Sequence, residues 1–474
     1  MTAPPSREAA PLNLGIPDTR LLPPDAHLSF GVNRMILKAA SSVALAAILV
    51  KLIAMAKEIV VAARFGRNDE MDAFLVAFLL PGLLVNLFAE SMNQALIPTL
   101  VRVREQQGKA KAQELLSSSM LGICVVMLLG TTVVAMTARV FFPLLLPHFS
   151  PSKVQTTTML FYGLLPLIFL AGIASNGAAV VNTSERFVGP ALAPASVPLA
   201  IMMAIWLCPR QVGVWSLVYG NVAGGLIQAV LMVWMLSMQG FRFRIRWCGP
   251  SPALREVAGQ YGLVLISGLV ASGGLLVDQG MAASLSSGSV ATLAYANRFV
   301  SVVVTLMAGA VATAITPYFS KLVARHDWKR CRHTVDTWVT ITAAISIPIA
   351  AGLIIGSHSL VQMTFQHGAF VAKDTNSVAQ VQSMYAIQLP FYVVSRVFYR
   401  YLSAMRKSSL ILLCGVLNLL LDIALNIVCM RWYGVAGIAL ATSLWSIATF
   451  LFLGFWTYWF LHQSPLPDRK AQFT

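Results

Sequence analysis

Met71-Asp-Ala-Phe-Leu-Val-Ala-Phe-Leu-Leu-Pro-Gly-Leu-Leu-Val-Asn-Leu-Phe-Ala-Glu-Ser-Met-Asn-Gln-Ala-Leu-Ile-Pro-Thr-Leu100 carries two carboxylates and no basic residue, and Arg102 and Arg104 follow at once. An α-helix needs about 20 apolar residues to cross roughly 30 Å of hydrocarbon. This run is long enough and ends in the basic residues that anchor a span at the cytoplasmic face. An open sheet could not satisfy its backbone in lipid, so the run reads as a transmembrane helix.

Runs of this kind recur along the 474 residues, of which 57% are hydrophobic and 11% charged. Soluble domains carry about 25% charged residues. The pattern predicts an all-α integral membrane protein with about twelve spans, at 36–62, 72–99, 115–137, 157–181, 188–208, 213–238, 259–283, 290–317, 336–356, 377–404, 409–430 and 434–461. Residues 1–35 are polar and Pro-rich and predict a disordered cytoplasmic tail. Two six-helix lobes are expected at 36–240 and 259–462, joined by a cytoplasmic linker at 241–258, with a short cytoplasmic tail at 463–474.

The net charge of +16 would suggest nucleic-acid binding in a soluble chain. Here no nucleic-acid partner is expected, because the basic residues lie in short loops. With the N-terminus inside, 22 Lys and Arg fall in cytoplasmic segments and 7 outside, the other 5 of the 34 lying within spans. This asymmetry predicts cytoplasmic N- and C-termini and an even number of spans. The six cysteines show no CxxC spacing and read as small apolar residues. No nucleotide-binding, nucleophile-elbow or zinc-protease motif is present, so the chain reads as a transporter and not an enzyme.

A repeat is hinted at. Gln94-Ala-Leu-Ile-Pro98-Thr-Leu and Thr313-Ala-Ile-Thr-Pro317-Tyr-Phe each end a span and lead into basic residues, 219 positions apart. Six spans separate them, so the halves share one orientation, as in transporters built from parallel repeats.

Several charges lie inside spans, where each costs at least about 2.5–3.5 kcal/mol unless it faces protein or a watery cavity. Lys51, Lys57 and Glu58 share span 1. Span 2 holds Asp72, Asn86 and Glu90. Arg298 lies in span 8, and Arg396 and Arg400 in span 10. Together they predict a cationic cavity between the lobes for an anionic ligand. Asp278, Asn418, Asp422 and Thr442 make a second set of hard oxygen groups. They read as a Na⁺ or H⁺ site, or as a polar helix–helix contact. No other cofactor is expected.

The segments Lys57-Glu-Ile-Val-Val-Ala-Ala-Arg-Phe-Gly66, Met71-Asp-Ala-Phe and Leu87-Phe-Ala-Glu-Ser-Met-Asn-Gln-Ala-Leu-Ile-Pro98 resemble the MviN/MurJ family of the MOP exporter superfamily. So do Val181-Asn-Thr-Ser-Glu-Arg-Phe187, Tyr295-Ala-Asn-Arg-Phe299 and Thr364-Phe-Gln-His-Gly-Ala-Phe370. The resemblance runs from about residue 36 to 460. It implies lipid II flippases with two six-helix lobes around a central cavity and alternating access. It places cavity cations at Lys51, Lys57 and Arg298, with Asp72 as acidic partner, and a Na⁺ site at Asp278, Asn418, Asp422 and Thr442. This chain has Val85-Asn86 where the family carries an Arg pair, and twelve expected spans where the family has two more. Those departures favour a flippase for an undecaprenyl-pyrophosphate-linked exopolysaccharide or O-antigen repeat unit in the bacterial inner membrane. Its partners would be that lipid-linked oligosaccharide, membrane lipids and polysaccharide-biosynthesis enzymes. A lipid II flippase is the alternative, and a multidrug or cation antiporter the alternative of another class.

Overall fold

A computed structural model of the chain describes residues 26–182, 188–241 and 246–463. Every regular element among them is helical: α1 (Ala26–Phe65), α2 (Asp69–Leu145), α3 (Pro151–Asn182), α4 (Val188–Leu192), α5 (Ser196–Leu207), α6 (Trp215–Met238), α7 (Pro252–Ala283), α8 (Ser289–Ala324), α9 (Trp328–Ile355), α10 (Ser357–Phe365), α11 (Ala372–Ala386), α12 (Gln388–Ala404), α13 (Ser408–Tyr433) and α14 (Val435–Gln463). The chain is a multi-pass membrane protein. Nine stretches among the described residues are long and apolar enough to span, and α1, α7 and the α11–α12 pair complete twelve crossings.

The helix starts are written in local chemistry. Asn68 caps α2 by accepting from the Met71 N–H at 2.9 Å. Ser251 does the same for α7 through the Leu254 N–H, with Pro252 in the first turn, where its missing N–H costs nothing. α1 begins at Ala26 and not at residue 36, and the helical backbone of 26–35 takes up part of the expected tail. α7 likewise begins inside the expected linker.

The 77-residue α2 is two spans joined at Gly108, where φ is 85° and ψ 174°. That conformation is essentially reserved for glycine. The arms fold back on each other: a Cβ on Gly130 would meet the Phe88 ring at 3.8 Å. These arms are the expected spans 72–99 and 115–137, helical right up to the turn. The expected span 377–404 is broken at Ile387 into α11 and α12, just before Pro390. The outside loop expected at 357–376 contains α10 and a tip that returns to α1.

The repeat extends well beyond its one matched segment. α2 and α8 start 220 residues apart, α3 and α11 start 221 apart, and α6 and α14 start 220 apart. Positive-φ residues recur at nearly the same offset: Gly108 and His326 are 218 apart, and Gly213 and Gly434 are 221 apart. Two lobes of like orientation result.

A single buried core crosses both lobes at the end of the molecule that holds Gly66. It includes Val61, Phe65 and Phe74 from one lobe and Leu293, Tyr295 and Phe370 from the other. Toward Gly108 the cores separate. One gathers Leu96, Leu100, Leu116 and Phe241; the other gathers Phe319, Val397, Phe398 and Tyr401. α7 leans across this gap. Its Val257 and Tyr261 join the first-lobe core, and Glu256 pairs with Arg102. Large apolar side chains such as Leu129, Met136, Trp206, Leu412 and Trp432 are exposed outside, as a lipid-facing surface requires.

Candidate functional site

At the Gly66 end the lobes are clasped. Both oxygens of Asp72, which is 1% exposed, are taken by backbone N–H groups at the start of α8, Gly288 at 2.7 Å and Ala291 at 2.9 Å. A carboxylate on a helix N-terminus is favoured by both the free N–H groups and the helix dipole. Asp72 and Ala291 are 219 positions apart, so this bond lies at the pseudo-two-fold axis between the repeats. Lys153 pairs with Asp69 and lies 3.5 Å from Asp72. Arg67 pairs with Asp374 at 3.2 Å and donates to Thr292 at 3.1 Å. Tyr295 donates to Gly66 O, and Ala369 N–H to Ala63 O. Asp72 was expected as the acidic partner of the cavity cations; its contacts place it in this clasp. Arg67 and Lys153 are among the seven cations counted in outside segments, and only the fold brings them here together with Asp374.

Immediately below the clasp lies a cavity of about 60 Å³ lined by Lys57, Glu58, Phe74, Phe78, Asn221 and Arg298, among others. Glu58, 6% exposed, accepts from Lys57 at 2.5 Å and forms an ion pair with Arg298 at 2.8 Å. Two cations on one carboxylate leave one net positive charge. The Arg298 Nε–H is buried and without a partner. This space alone holds only a few waters, and the Arg298 side chain beside it is still 41% exposed.

Lys51 and Asn86 are exposed, and the side chain of Glu90 lies outside the described residues. Arg396 lies in α12 with its guanidinium 4.2 Å over the Tyr392 ring.

The second constellation is in the C-terminal lobe. Asn426 donates to Asp278 at 2.7 Å and to Asp422 at 3.3 Å. Thr442 stands against Asp278 and the Tyr385 hydroxyl. Asn418 instead faces Cys414 Sγ at 3.6 Å. The sequence reading took the amide four residues before Asp422; the structure uses the one four residues after it. The buried Asn426 Oδ1 has no partner. Two carboxylates, a hydroxyl and an orphaned amide oxygen fit a small hard cation. Among the described residues no group of three or more His, Cys, Asp or Glu could hold a metal.

The two sites are counterparts. Asp278 is 220 positions after Glu58, Asp422 is 221 after Ile201, and Thr442 is 221 after Asn221. At the first position Glu58 is paired with Lys57 of its own lobe and Arg298 of the other; the second presents acids without a cation.

The family model described as lipid II flippase MurJ matches residues 61–468. The chain belongs to the MurJ family. A Synechocystis protein named probable lipid II flippase MurJ is 23% identical over 89% of this chain and 82% of its own length, and further curated relatives carry that name. Among solved structures, a lipid II flippase MurJ in an inward closed conformation matches with a TM-score of 0.75 at 22% identity, covering 88% of this chain and 87% of its own. An inward-facing MATE multidrug transporter of the MOP superfamily matches with a TM-score of 0.74 at 11% identity, covering 87% of this chain and 94% of its own. The fold is thus the MOP exporter fold.

These findings overturn the expectation of an exopolysaccharide or O-antigen repeat-unit flippase. The relatives that span most of the MurJ-family chain are named for lipid II. The physical reason for the error is plain: Val85-Asn86 and a count of spans say nothing about the sugar.

Proposed function

We propose that this MurJ-family transporter flips lipid II across the bacterial inner membrane, with both termini in the cytoplasm and the Gly66 end outside. One observation carries the reading: the Lys57–Glu58–Arg298 triad, with a net positive charge and an unpaired Arg298 N–H, facing a cavity between the lobes. The names of the relatives support the choice of lipid II. The pyrophosphate would draw Lys57 and Arg298 from Glu58 as the lobes part on the Gly108 side. Breaking the Asp72 clasp would then open the outer face, the rocking motion of repeat-built transporters. The acids at Asp278 and Asp422 would take Na⁺ or H⁺ as coupling ion.

Depletion in cells, following lipid II in each leaflet, tests the proposal. Lipid II trapped on the inner leaflet, with lysis, is the expected outcome. Normal lipid II turnover in depleted cells would sink it. Arg298→Glu should fail to rescue while inserting normally.

A further inference from the structure

α12 is the second half of the α11–α12 crossing and has one strongly polar face. Gln388, Tyr392, Arg396, Tyr399, Arg400 and Ser403 follow at steps of three and four, so they form one stripe. The opposite face, Val393, Val394, Val397, Phe398, Tyr401 and Leu402, is buried in the lobe core. On the stripe, Tyr392, Arg396, Tyr399 and Arg400 are all partly exposed.

Neither guanidinium forms an ion pair among the described residues. Arg396 instead donates to the Tyr392 hydroxyl and stacks on that ring. Arg400 lies 5.7 Å over the Tyr399 ring. The Nε–H of each is buried and has no acceptor. Arg396 lies eight residues, about 12 Å, from the end of α12, too deep to reach an interface with ease. Two uncompensated cations at this depth require an anion or water beside them.

α12 packs mainly on α8, α9 and α14 and barely on α13. The partly exposed stripe, cationic at Arg396 and Arg400, is thus left largely uncovered on its α13 side.

We propose that Arg396 and Arg400 form a second anion subsite, in the C-terminal lobe, for an acidic group on the polar part of the lipid-linked substrate other than its pyrophosphate. The proposal rests on the flippase reading above. Arginine suits a carboxylate: the planar fork pairs with both oxygens while its face stays on a tyrosine. The flanking rings of Tyr392 and Tyr399 offer apolar faces beside the charge.

The test is equilibrium binding to the full-length protein in detergent or nanodiscs, with three probes: undecaprenyl pyrophosphate, lipid II with free peptide carboxylates, and lipid II with those carboxylates amidated. Arg396→Gln should weaken binding of free-acid lipid II at least about tenfold, the worth of one charge-assisted hydrogen bond. It should leave undecaprenyl pyrophosphate and amidated lipid II unchanged. Arg396→Lys should recover part of the loss, and Arg400→Gln should repeat the pattern more weakly. Equal loss of all three probes, or no loss of any, would overturn the subsite. Lys57→Gln should instead weaken all three. If the unaltered protein binds none of the probes, the flippase reading fails, and that outcome is distinct from failure of the subsite. Tyr392→Phe, which keeps the stack and removes only the hydroxyl, checks the result in a variant that preserves the packing.

Discussion

Glu58 illustrates what a single residue can decide in this fold. Alone in the membrane it would be prohibitively costly; with Lys57 and Arg298 on it, it becomes their shared counter-ion. Removing one partner of a buried charge cluster costs several kcal/mol, because the other is left unpaired. Glu58→Gln should therefore tighten binding of undecaprenyl pyrophosphate, since the cations are freed, while slowing release. Titration of the ligand against both proteins checks this, and unchanged affinity would mean the triad does not meet the phosphate. Asp72 works differently, as a clasp. Asp72→Asn loses the charge on the α8 N-terminus and should weaken the closed outer face by about 1–3 kcal/mol. Spin-label distances between the Gly66 ends of α2 and α8 should broaden toward longer values. At the cation site, Asn426→Ala should abolish any Na⁺ response of ligand binding, and Asn418→Ala should alter it less. The reverse order would mean that Asn418 is the ligand and Asn426 a support.

At the scale of elements, glycine sets the geometry at two kinds of position. Gly108 turns one helix into two antiparallel spans with no contact near the place of a Cβ. Gly108→Ala thus tests backbone strain alone and should cost about 1–3 kcal/mol, read as a lowered thermal midpoint. Gly122 is helical, with open space where a Cβ would go, and Gly122→Ala should be neutral or stabilising by roughly 0.5–1 kcal/mol. Equal midpoints for the two variants would refute the assigned turn. Gly368 is a close approach: its φ is 60°, and a Cβ would meet Ala63 O at 2.2 Å. The tip of the loop after α10 is fitted to α1 there, so this loop belongs to the clasp and is not a free connection.

For the whole molecule, the repeat organises function. Matched starts and matched positive-φ turns make two lobes of one design, joined at the end where the repeat-related contact of Asp72 and Ala291 lies. At equivalent positions the first lobe holds Glu58, paired with Lys57 of its own lobe and Arg298 of the other, and the second holds acids with an orphaned amide oxygen. The first position suits an anion and the second a small cation.

The sequence by itself determined that the chain crosses the membrane repeatedly as helices, because long uncharged runs admit no other solution in lipid. It also exposed the charges that matter at Lys57, Glu58, Arg298, Asp278 and Asp422, since an ionised group in an apolar run stands out. It did not determine partners. Asp72 and Ala291, Arg67 and Asp374, and Asp278 and Asn426 lie far apart along the chain, and helical periodicity fixes which face a residue shares but not which helix meets that face. Asn418 and Asn426 are equally spaced from Asp422, so spacing could not choose between them. Only the packing of α13 against α7 and α14 turned Asn426 onto the acids and left Asn418 on Cys414.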